Sequence, residues 1–341
     1  MKTIVLKQPG QFITEDRDEP GQPGAGEAIV RVERIGICGT DQHAFRGTHP
    51  IVTYPRVLGH ELGVRLVDVG GHGTVTCGLR PGDSCAVEPY LHCGHCVACR
   101  AGKTNCCTQL AVLGVHVDGG MCKYLKVPAA KLHKSSLLSV DQLALVETLG
   151  IGAHAVQRAD VQPGENVMVI GAGPIGLGAI QFAQAAGARV IVLDVNEHRL
   201  RFAHEKLPGI KTIRSVAPDL SNLKDMTDNQ LPTAVFDATG NAASMTTAFG
   251  YVAAGGRLVF VGLIKADITF SDADLHRKEM SLLASRNAPS SEFPRIISMI
   301  ESGQIDTTPW ITHRSSFDEF AEQFPSWLDP ATQVVKAMIA V

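Results

Sequence analysis

The chain has 341 residues, of which 45% are hydrophobic and 19% are charged, and its formal net charge is −3. This is the composition of a soluble globular protein with length enough for two domains. The slight negative balance argues against a nucleic-acid partner, because nucleic-acid binding normally requires a basic face.

The first twenty residues hold no apolar run of signal-peptide length and soon become acidic. We therefore expect no export signal and a cytoplasmic location. Residues 166–188 carry no charge, but four glycines and one proline interrupt them between residues 171 and 178. Such a segment fits a buried strand, turn and helix better than a membrane span, so we expect no membrane association.

Up to about residue 150 the sequence consists of short β-branched runs separated by proline and glycine, for example at 27–39, 75–87 and 119–129. These runs predict a strand-rich, barrel-like domain.

Five of the nine cysteines lie within residues 88–107. Cys93, Cys96, Cys99 and Cys107 follow the spacing C-x2-C-x2-C-x7-C, and Cys106 stands beside the last of them. Stable disulfides are disfavoured by a cytosolic location and by the odd count. The ligand types leave a structural zinc site or an iron–sulfur cluster open.

After residue 150, apolar strands alternate with helices, which predicts a doubly wound parallel sheet. Its first strand is followed by G-x-G-x-x-G at Gly171, Gly173 and Gly176, and Pro174 and Ile175 begin the next helix. Backbone N–H groups and the helix dipole can meet a pyrophosphate at such a turn. The context therefore favours a dinucleotide site.

Asp194 ends the second strand, eighteen residues after Gly176. A carboxylate there can accept both ribose hydroxyls of NAD and would repel the additional phosphate of NADP. The alternative for Asp194 is a cap for the helix that follows. Arg199, one turn further along, is a candidate to flank the adenosine.

Residues 293–314 and 317–327 are predicted to form helix, loop and helix that return to the first domain. We therefore assign residues 1–152 and 290–341 to a catalytic domain and residues 153–289 to a dinucleotide-binding domain.

Three further segments offer metal ligands, namely Cys38, His60 with Glu61, and Glu147. Taken separately, Cys38 is more simply interpreted as a buried small residue and Glu147 as a surface carboxylate.

Taken together, C-G-T-D-x-H at 38–43, G-H-E at 59–61, the four-cysteine segment and G-A-G-P-I-G at 171–176 resemble one family over nearly the whole chain. The sequence is similar to zinc-dependent medium-chain dehydrogenases of the polyol and sugar-acid branch. The resemblance implies a GroES-like catalytic domain, a Rossmann NAD-binding domain, two zinc ions per chain and a homodimer or homotetramer.

By this resemblance, the four cysteines hold a structural zinc, which is closed by its four thiolates. Cys106 would be a spare, and we expect Cys77, Cys85 and Cys122 to be buried thiols and not ligands. The catalytic zinc must keep one position open, and Cys38, His60 and Glu147 would be its ligands. Glu61 would be an exchanging ligand or would support the site from behind. The sequence departs from the family at Thr148, where proline is usual, and at Gly63, where we expect only an altered turn.

The resemblance also implies a proton relay. Thr40 would take the proton of the alcohol, and His43 would pass it to solvent through the nicotinamide ribose. An imidazole suits this task because it exchanges protons near neutral pH. The alternative for His43 is a surface histidine that only makes hydrogen bonds.

The substrate is less constrained. The segments at 54–61 and 285–289 look like those of bacterial dehydrogenases for sugar acids such as L-galactonate, L-gulonate or L-idonate. A carboxylate substrate favours a guanidinium partner, for which Arg286 and Arg56 are the candidates. Neutral polyol, cyclitol and threonine dehydrogenases remain alternatives, and so does a non-catalytic sensor that binds zinc and NAD.

Overall fold

The computed structural model describes residues 1–71 and 78–341, so Cys77, which the sequence predicts to be a buried thiol, lies outside the described residues. The chain divides into two compact units, Met1–Thr148 with Pro289–Val341, and Leu149–Ala288. The boundaries predicted from the sequence, after residues 152 and 289, stay predictions.

In its described residues, the first part of the first unit has nine short strands and two short helices, and it ends within a long helix that follows them. In chain order these are β1 Lys2–Gln8, β2 Gln11–Asp16, β3 Glu27–Gly36, α1 Gly39–Phe45, β4 Glu61–Val69, β5 Ser84–Val87, β6 Tyr90–Leu91, α2 Val97–Arg100, β7 Ala111–Val112, β8 Tyr124–Pro128, β9 Leu132–Lys134 and α3 Val140–Ala159. The predominance of strands agrees with the prediction.

The second unit alternates strand and helix. It consists of β10 Asn166–Ile170, α4 Pro174–Ala185, β11 Arg189–Asp194, α5 Glu197–Lys206, β12 Lys211–Arg214, α6 Leu220–Met226, β13 Ala234–Asp237, α7 Ala242–Thr247, β14 Arg257–Phe260, α8 Asp272–Lys278 and β15 Ser281–Ala284. The strands form one sheet in the order β12-β11-β10-β13-β14-β15, and every pair is parallel. The predicted doubly wound parallel sheet is confirmed.

The remaining elements belong to the first unit and differ from the prediction. They are α9 Glu292–Glu301, β16 Ile311–Ser316, α10 Phe320–Trp327 and β17 Lys336–Ala340. Helix α10 returns to the first unit through aromatic packing, since Phe324 lies 5.3 Å from Phe12 and 5.0 Å from Phe45 between ring centroids. The prediction of helix, loop and helix was incomplete because it missed the two strands.

Strand β17 enters the main sheet of the first unit, whose order is β16-β17-β3-β4-β5-β9, with β8 also paired to β3. The antiparallel register places Gly36 on β3 opposite Glu61 on β4 and opposite Met338 on β17. Three segments that are distant in sequence therefore meet at the end of β3, directly before Cys38.

Gly63 corrects a second expectation. It lies inside β4 and not in a turn. A Cβ atom at this position would lie 2.0 Å from the carbonyl oxygen of Val140, so glycine is what allows the first turn of α3 to approach the strand. Among the described residues, no helix is both long and apolar enough to cross a membrane. The uncharged segment 166–188 instead contains β10 and α4.

Candidate metal centres and dinucleotide site

The four cysteines of the predicted lobe lie together. The sulfur atoms of Cys93, Cys96, Cys99 and Cys107 are all within 4.8 Å of one another. The Cys96–Cys99 and Cys93–Cys99 sulfur distances are 3.5 and 4.0 Å. Tetrahedral zinc with bonds of about 2.3 Å would hold its sulfurs about 3.8 Å apart. The spacing fits one ion better than a cluster, in which thiolates bind different irons.

Backbone N–H groups of the lobe point at these sulfurs. The N–H of Cys99 lowers the pKa of Cys96 to about 5, and the N–H of Cys93 lowers the pKa of Cys107. The pKa of Cys99 is raised to about 12 by desolvation and by its position beside Cys96. Without a metal, Cys99 therefore keeps its thiol proton, which a bound cation would replace.

Apart from Cys38, the remaining described cysteines belong to neither group of ligand atoms. Cys106 is exposed, and Cys85 and Cys122 are buried. Burial raises the pKa of both buried thiols to about 12. Neither is a thiolate at neutral pH, which agrees with the expectation that they are buried thiols and not ligands.

A second group of ligand atoms lies at the end of β3. One ligand atom each from Cys38, His60 and Glu61 lie within 4.8 Å of one another. Glycine at position 36 provides the space, because a Cβ atom there would lie 2.2 Å from Oε2 of Glu61. The sheet register and this glycine together bring the three predicted residues to one place.

Lys336 was not predicted from the sequence. Its side chain is buried, and its Nζ donates to both carboxylate oxygens of Glu61 at 2.7 Å and to the hydroxyl of Thr148 at 3.3 Å. Although burial opposes charge on both groups, the ammonium lowers the pKa of Glu61 and the carboxylate raises the pKa of Lys336. Thr148, the departure at the usual proline, contributes its hydroxyl to this pair.

Glu147 lies next to the group and not within it. It is 6% exposed and its Oε1 accepts a hydrogen bond from the hydroxyl of Tyr90, a residue that was also missed. Burial raises the pKa of Glu147, and the negative charge of Glu61 adds to the effect, while His60 opposes it. This opposition indicates that Glu147 lies close enough to His60 to interact with it electrostatically.

Asp41 is a third missed residue, and it is fully buried. Its Oδ2 accepts the backbone N–H of Cys38 at 2.9 Å, and its Oδ1 lies 3.9 Å from Nδ1 of His60. Within the part of the chain that the structure describes, that oxygen and that nitrogen have no hydrogen-bond partner. Burial opposes protonation of His60, but Asp41 and Cys38 outweigh it and raise the pKa of the imidazole well above its ordinary value.

This chemistry fits a divalent cation. Asp41, Glu61 and Glu147 are three buried carboxylates, Cys38 adds a half-buried thiol, and the ammonium of Lys336 is buried beside Glu61. Such an excess of buried acid is costly unless protons or a metal neutralise it. A thiol, an imidazole and a carboxylate are ligand types that zinc takes.

The predicted relay residues lie on helix α1, which has Cys38 as its N-cap. Thr40 is half-buried and His43 is exposed. Their spacing of three residues places them on the same face of the helix. The Nδ1 atom of His43 lies 3.0 Å from the hydroxyl of Thr48.

The glycine loop joins β10 to α4. A Cβ atom at Gly176 would lie 1.7 Å from the carbonyl oxygen of Gly171, so only glycine permits this turn. Gly173 is the N-cap of α4 and has no side chain to offer, and Pro174 and Ile175 begin the helix. The exposed N–H groups of this helix end suit a pyrophosphate.

Asp194 ends β11 and holds the loop in place. Its Oδ2 accepts the N–H of Ala172 at 2.7 Å and its Oδ1 accepts the N–H of Asn196 at 2.8 Å. The alternative interpretation as a cap is wrong, because Asn196 caps α5 by accepting the N–H of Arg199. A Cβ atom at Gly173 would lie 3.8 Å from Nη1 of Arg199, so the guanidinium lies close to the glycine loop.

The two candidates for a substrate guanidinium differ. Arg56 donates to Asp118 at 3.2 Å and to Thr53 at 2.9 Å, and its side chain is 15% exposed. These contacts favour a structural role in the first unit. Arg286 is exposed and follows β15 in the second unit.

Comparison with known proteins identifies the family. The model of the alcohol dehydrogenase GroES-like domain matches residues 24–137, and that of the zinc-binding dehydrogenase domain matches residues 174–302. The L-galactonate-5-dehydrogenase of Escherichia coli K12 is 38% identical over 99% of this chain and 98% of its own. The chain belongs to the zinc-dependent medium-chain dehydrogenases.

Two further relatives support this. The L-arabinitol 4-dehydrogenase of Hypocrea jecorina is 33% identical over 92% of this chain and 85% of its own. A structure described as the short-chain alcohol dehydrogenase RspB of E. coli CFT073 with NADH is 31% identical to this chain, with a TM-score of 0.92. The alignment covers 100% of this chain and 99% of the RspB chain. This medium-chain dehydrogenase is thus an NAD-dependent zinc enzyme of the polyol and sugar-acid branch, with a GroES-like and a Rossmann domain.

Cofactor preference of the dehydrogenase provides a test of Asp194. If Asp194 binds the ribose as predicted, Asp194→Ala removes the acceptor for its hydroxyls and the negative charge that would repel a 2′-phosphate. We expect the ratio of kcat/KM for NAD over NADP to fall about 10-fold or more, as removal of a hydrogen bond to a charged group costs about 1.5–3 kcal/mol. Steady-state kinetics with both cofactors measure this ratio, and Asp228→Ala, an exposed aspartate of the same unit, is the control. An unchanged ratio would leave Asp194 with its loop contacts alone.

Proposed function

We propose that this dehydrogenase oxidises a secondary hydroxyl of a six-carbon sugar acid, with L-galactonate, L-gulonate and L-idonate as first candidates. The observation that carries the proposal is the similarity to L-galactonate-5-dehydrogenase over nearly the full length of both chains. A polyol is the second candidate, and the similarity to L-arabinitol 4-dehydrogenase favours it. We also propose that the enzyme is cytoplasmic and forms a homodimer or homotetramer.

We assign two zinc sites to each chain. Cys93, Cys96, Cys99 and Cys107 hold the structural ion, and their four thiolates leave no position for a substrate. Cys38, His60 and Glu147 hold the catalytic ion, with Glu61 as an exchanging neighbour.

The residues around the catalytic site perform three tasks. Bound there, zinc would act as a Lewis acid on the substrate hydroxyl, and NAD would accept the hydride. Asp41 lies 3.9 Å from Nδ1 of His60 and supplies a negative charge on that side of the imidazole. Lys336 donates to both oxygens of Glu61 and balances the charge of this carboxylate beside the site.

We assign the proton path to helix α1. The hydroxyl of Thr48 donates to the carbonyl oxygen of His43 at 3.3 Å, so it can accept Nδ1–H of the same residue. This arrangement leaves Nε2 of His43 to take a proton. The half-buried Thr40 on the same helix face accepts the proton of the substrate as it gives up its own hydroxyl proton, which the exposed imidazole takes and passes to solvent.

His43→Ala tests this path. We expect kcat for alcohol oxidation to fall about 100-fold near neutral pH, at the lower end of general acid–base effects, and to recover partly at high pH where hydroxide replaces the imidazole. Zinc content should not change, whereas His60→Ala should lose the labile ion and activity at every pH. A pH–rate profile with metal analysis of both variants decides. A profile of His43→Ala that matches the wild type would exclude the relay, and loss of zinc would make His43 a ligand.

The substrate class is tested with a panel of sugar acids and polyols and NAD, followed by the absorbance of NADH. We expect kcat/KM to be highest for a sugar acid, and Arg286→Lys to raise KM for the sugar acid more than KM for a polyol, because lysine cannot form the bidentate pair. A preference for neutral polyols over every sugar acid would make the second candidate the function.

A further inference from the structure

Strand β6 connects the two metal centres of the first unit. Tyr90 is its first residue and precedes Cys93, the first ligand of the lobe, by three positions. The Tyr90 side chain is 2% exposed, and its hydroxyl donates to Oε1 of Glu147. One short segment thus carries a lobe ligand and a contact to the proposed catalytic ligand.

The position of Tyr90 is fixed on several sides. Its backbone pairs with Val112 on β7, and its ring packs edge-to-face against Phe293 with 6.2 Å between centroids. The residues two before and two after it meet one ammonium, because Nζ of Lys131 donates to Oε1 of Glu88 and lies 2.9 Å from Nδ1 of His92. The phenol is therefore a rigid donor with little freedom to follow a moving carboxylate.

We propose that Tyr90 is a positioning residue of the catalytic zinc site, because its hydroxyl holds Oε1 of Glu147 and leaves Oε2 as the oxygen that faces the cation. The inference rests on the proposed role of Glu147 as a ligand. A glutamate side chain has three rotatable bonds, and two opposed charges act on that of Glu147, because His60 attracts it and Glu61 repels it. The hydrogen bond from Tyr90 selects one orientation before a metal arrives.

The effect of losing the Tyr90–Glu147 hydrogen bond on zinc affinity can be estimated from other metal sites in proteins. Residues that orient a metal ligand without touching the metal are worth about 10–100-fold in metal affinity. Tyr90→Phe keeps the ring and its packing against Phe293 and removes only the hydroxyl. We expect the labile zinc of this variant to be released about 10–100-fold faster than that of the wild type.

The measurement uses the zinc-loaded enzyme and a chromogenic chelator, and it needs no substrate. Tyr251→Phe is the matched control, because Tyr251 is 4% exposed and its hydroxyl has no hydrogen-bond partner among the described residues. This control should release zinc at the wild-type rate. A rate for Tyr90→Phe within about twofold of the wild type, against the 10-fold minimum expected, would overturn the proposal.

A second variant separates positioning from a general structural effect. In Glu147→Gln, the hydroxyl of Tyr90 would hold the amide oxygen at the Oε1 position and turn the NH₂ group, which cannot ligate, towards the cation. Adding Tyr90→Phe releases the amide so that its oxygen can turn to the metal. We therefore expect Tyr90→Phe to weaken zinc binding in the wild-type background and to leave it equal or stronger in the Glu147→Gln background.

The outcomes are distinguishable. A structural role predicts that Tyr90→Phe weakens zinc binding equally in both backgrounds, which would overturn the positioning role while leaving Glu147 as a ligand. Equal zinc binding by Glu147→Gln and the wild type would remove Glu147 from the ligand set, and the role of Tyr90 with it. The substrate proposal is unaffected by either result, because the assay contains only protein, zinc and chelator.

Discussion

Cys96→Ser is expected to release the structural zinc and to unfold the lobe. The ligand segment has no buried side chain in α2, so the cation must supply much of the stability of this region. The binding free energy of a structural zinc in isolated zinc fingers is about 10–16 kcal/mol at neutral pH, and this energy is folding energy. Loss of even a small part of it exceeds the typical effect of a point mutation, about 1 kcal/mol.

The measurement combines metal analysis with thermal unfolding. Cys96→Ser should retain at most one zinc per chain and melt at a clearly lower temperature. Cys106→Ser is the matched control, since Cys106 lies in the same segment but is exposed and outside the group of four. We expect this control to keep both ions and its melting temperature. Two ions and an unchanged melting temperature in Cys96→Ser would refute the assignment.

Lys336→Met is expected to destabilise the protein by about 3–5 kcal/mol once labile metal has been removed, because a buried charge then loses its partner. Both Lys336 and Glu61 are buried, and their contacts at 2.7 Å involve both carboxylate oxygens. Urea unfolding of the chelator-treated variant gives the value. Adding Glu61→Gln to Lys336→Met should recover most of the loss, since it removes the unpaired charge.

The loss of stability in Lys336→Met should also depend on pH and become smaller at acidic pH. In the wild type the pKa of Glu61 lies below its ordinary 4.5, so the contribution of the pair is present above that pH and is lost as pH falls further. In Lys336→Met burial without the ammonium raises the pKa of Glu61, and protonation on acidification relieves the penalty. The difference in stability between variant and wild type should therefore shrink as pH falls towards 4.5. A difference independent of pH would show that Glu61 is not the group affected.

Sites formed by residues that lie close together in the sequence were predictable. The four lobe cysteines span fifteen residues, and local turns suffice to bring their sulfurs together. The glycine loop is equally local, because the contact between Gly171 and Gly176 arises within one turn. In both cases spacing alone determines proximity.

Features that depend on sheet register were not predictable. Lys336 stands in an apolar run typical of a strand, but nothing near it indicates that β17 will pair with β3 and place its Nζ on Glu61. The contact of Tyr90 with Glu147 was missed because it joins β6 to helix α3 across 57 residues, and no local pattern indicates which strand this face of the helix will meet. Asp41 could have been found, since an acidic residue three positions after an N-cap is a common capping arrangement.

The contact between Lys336 and Glu61 also has a consequence for synthesis of the protein, because 275 positions separate the two residues. At about 5–20 residues per second, the ribosome needs about 14–55 s to make that interval. Throughout this time Glu61 lacks the ammonium that balances it in the folded chain. Insertion of the catalytic metal before strand β17 is made would therefore meet an unrestrained Glu61, so the order of translation favours correct metal loading after the sheet has closed.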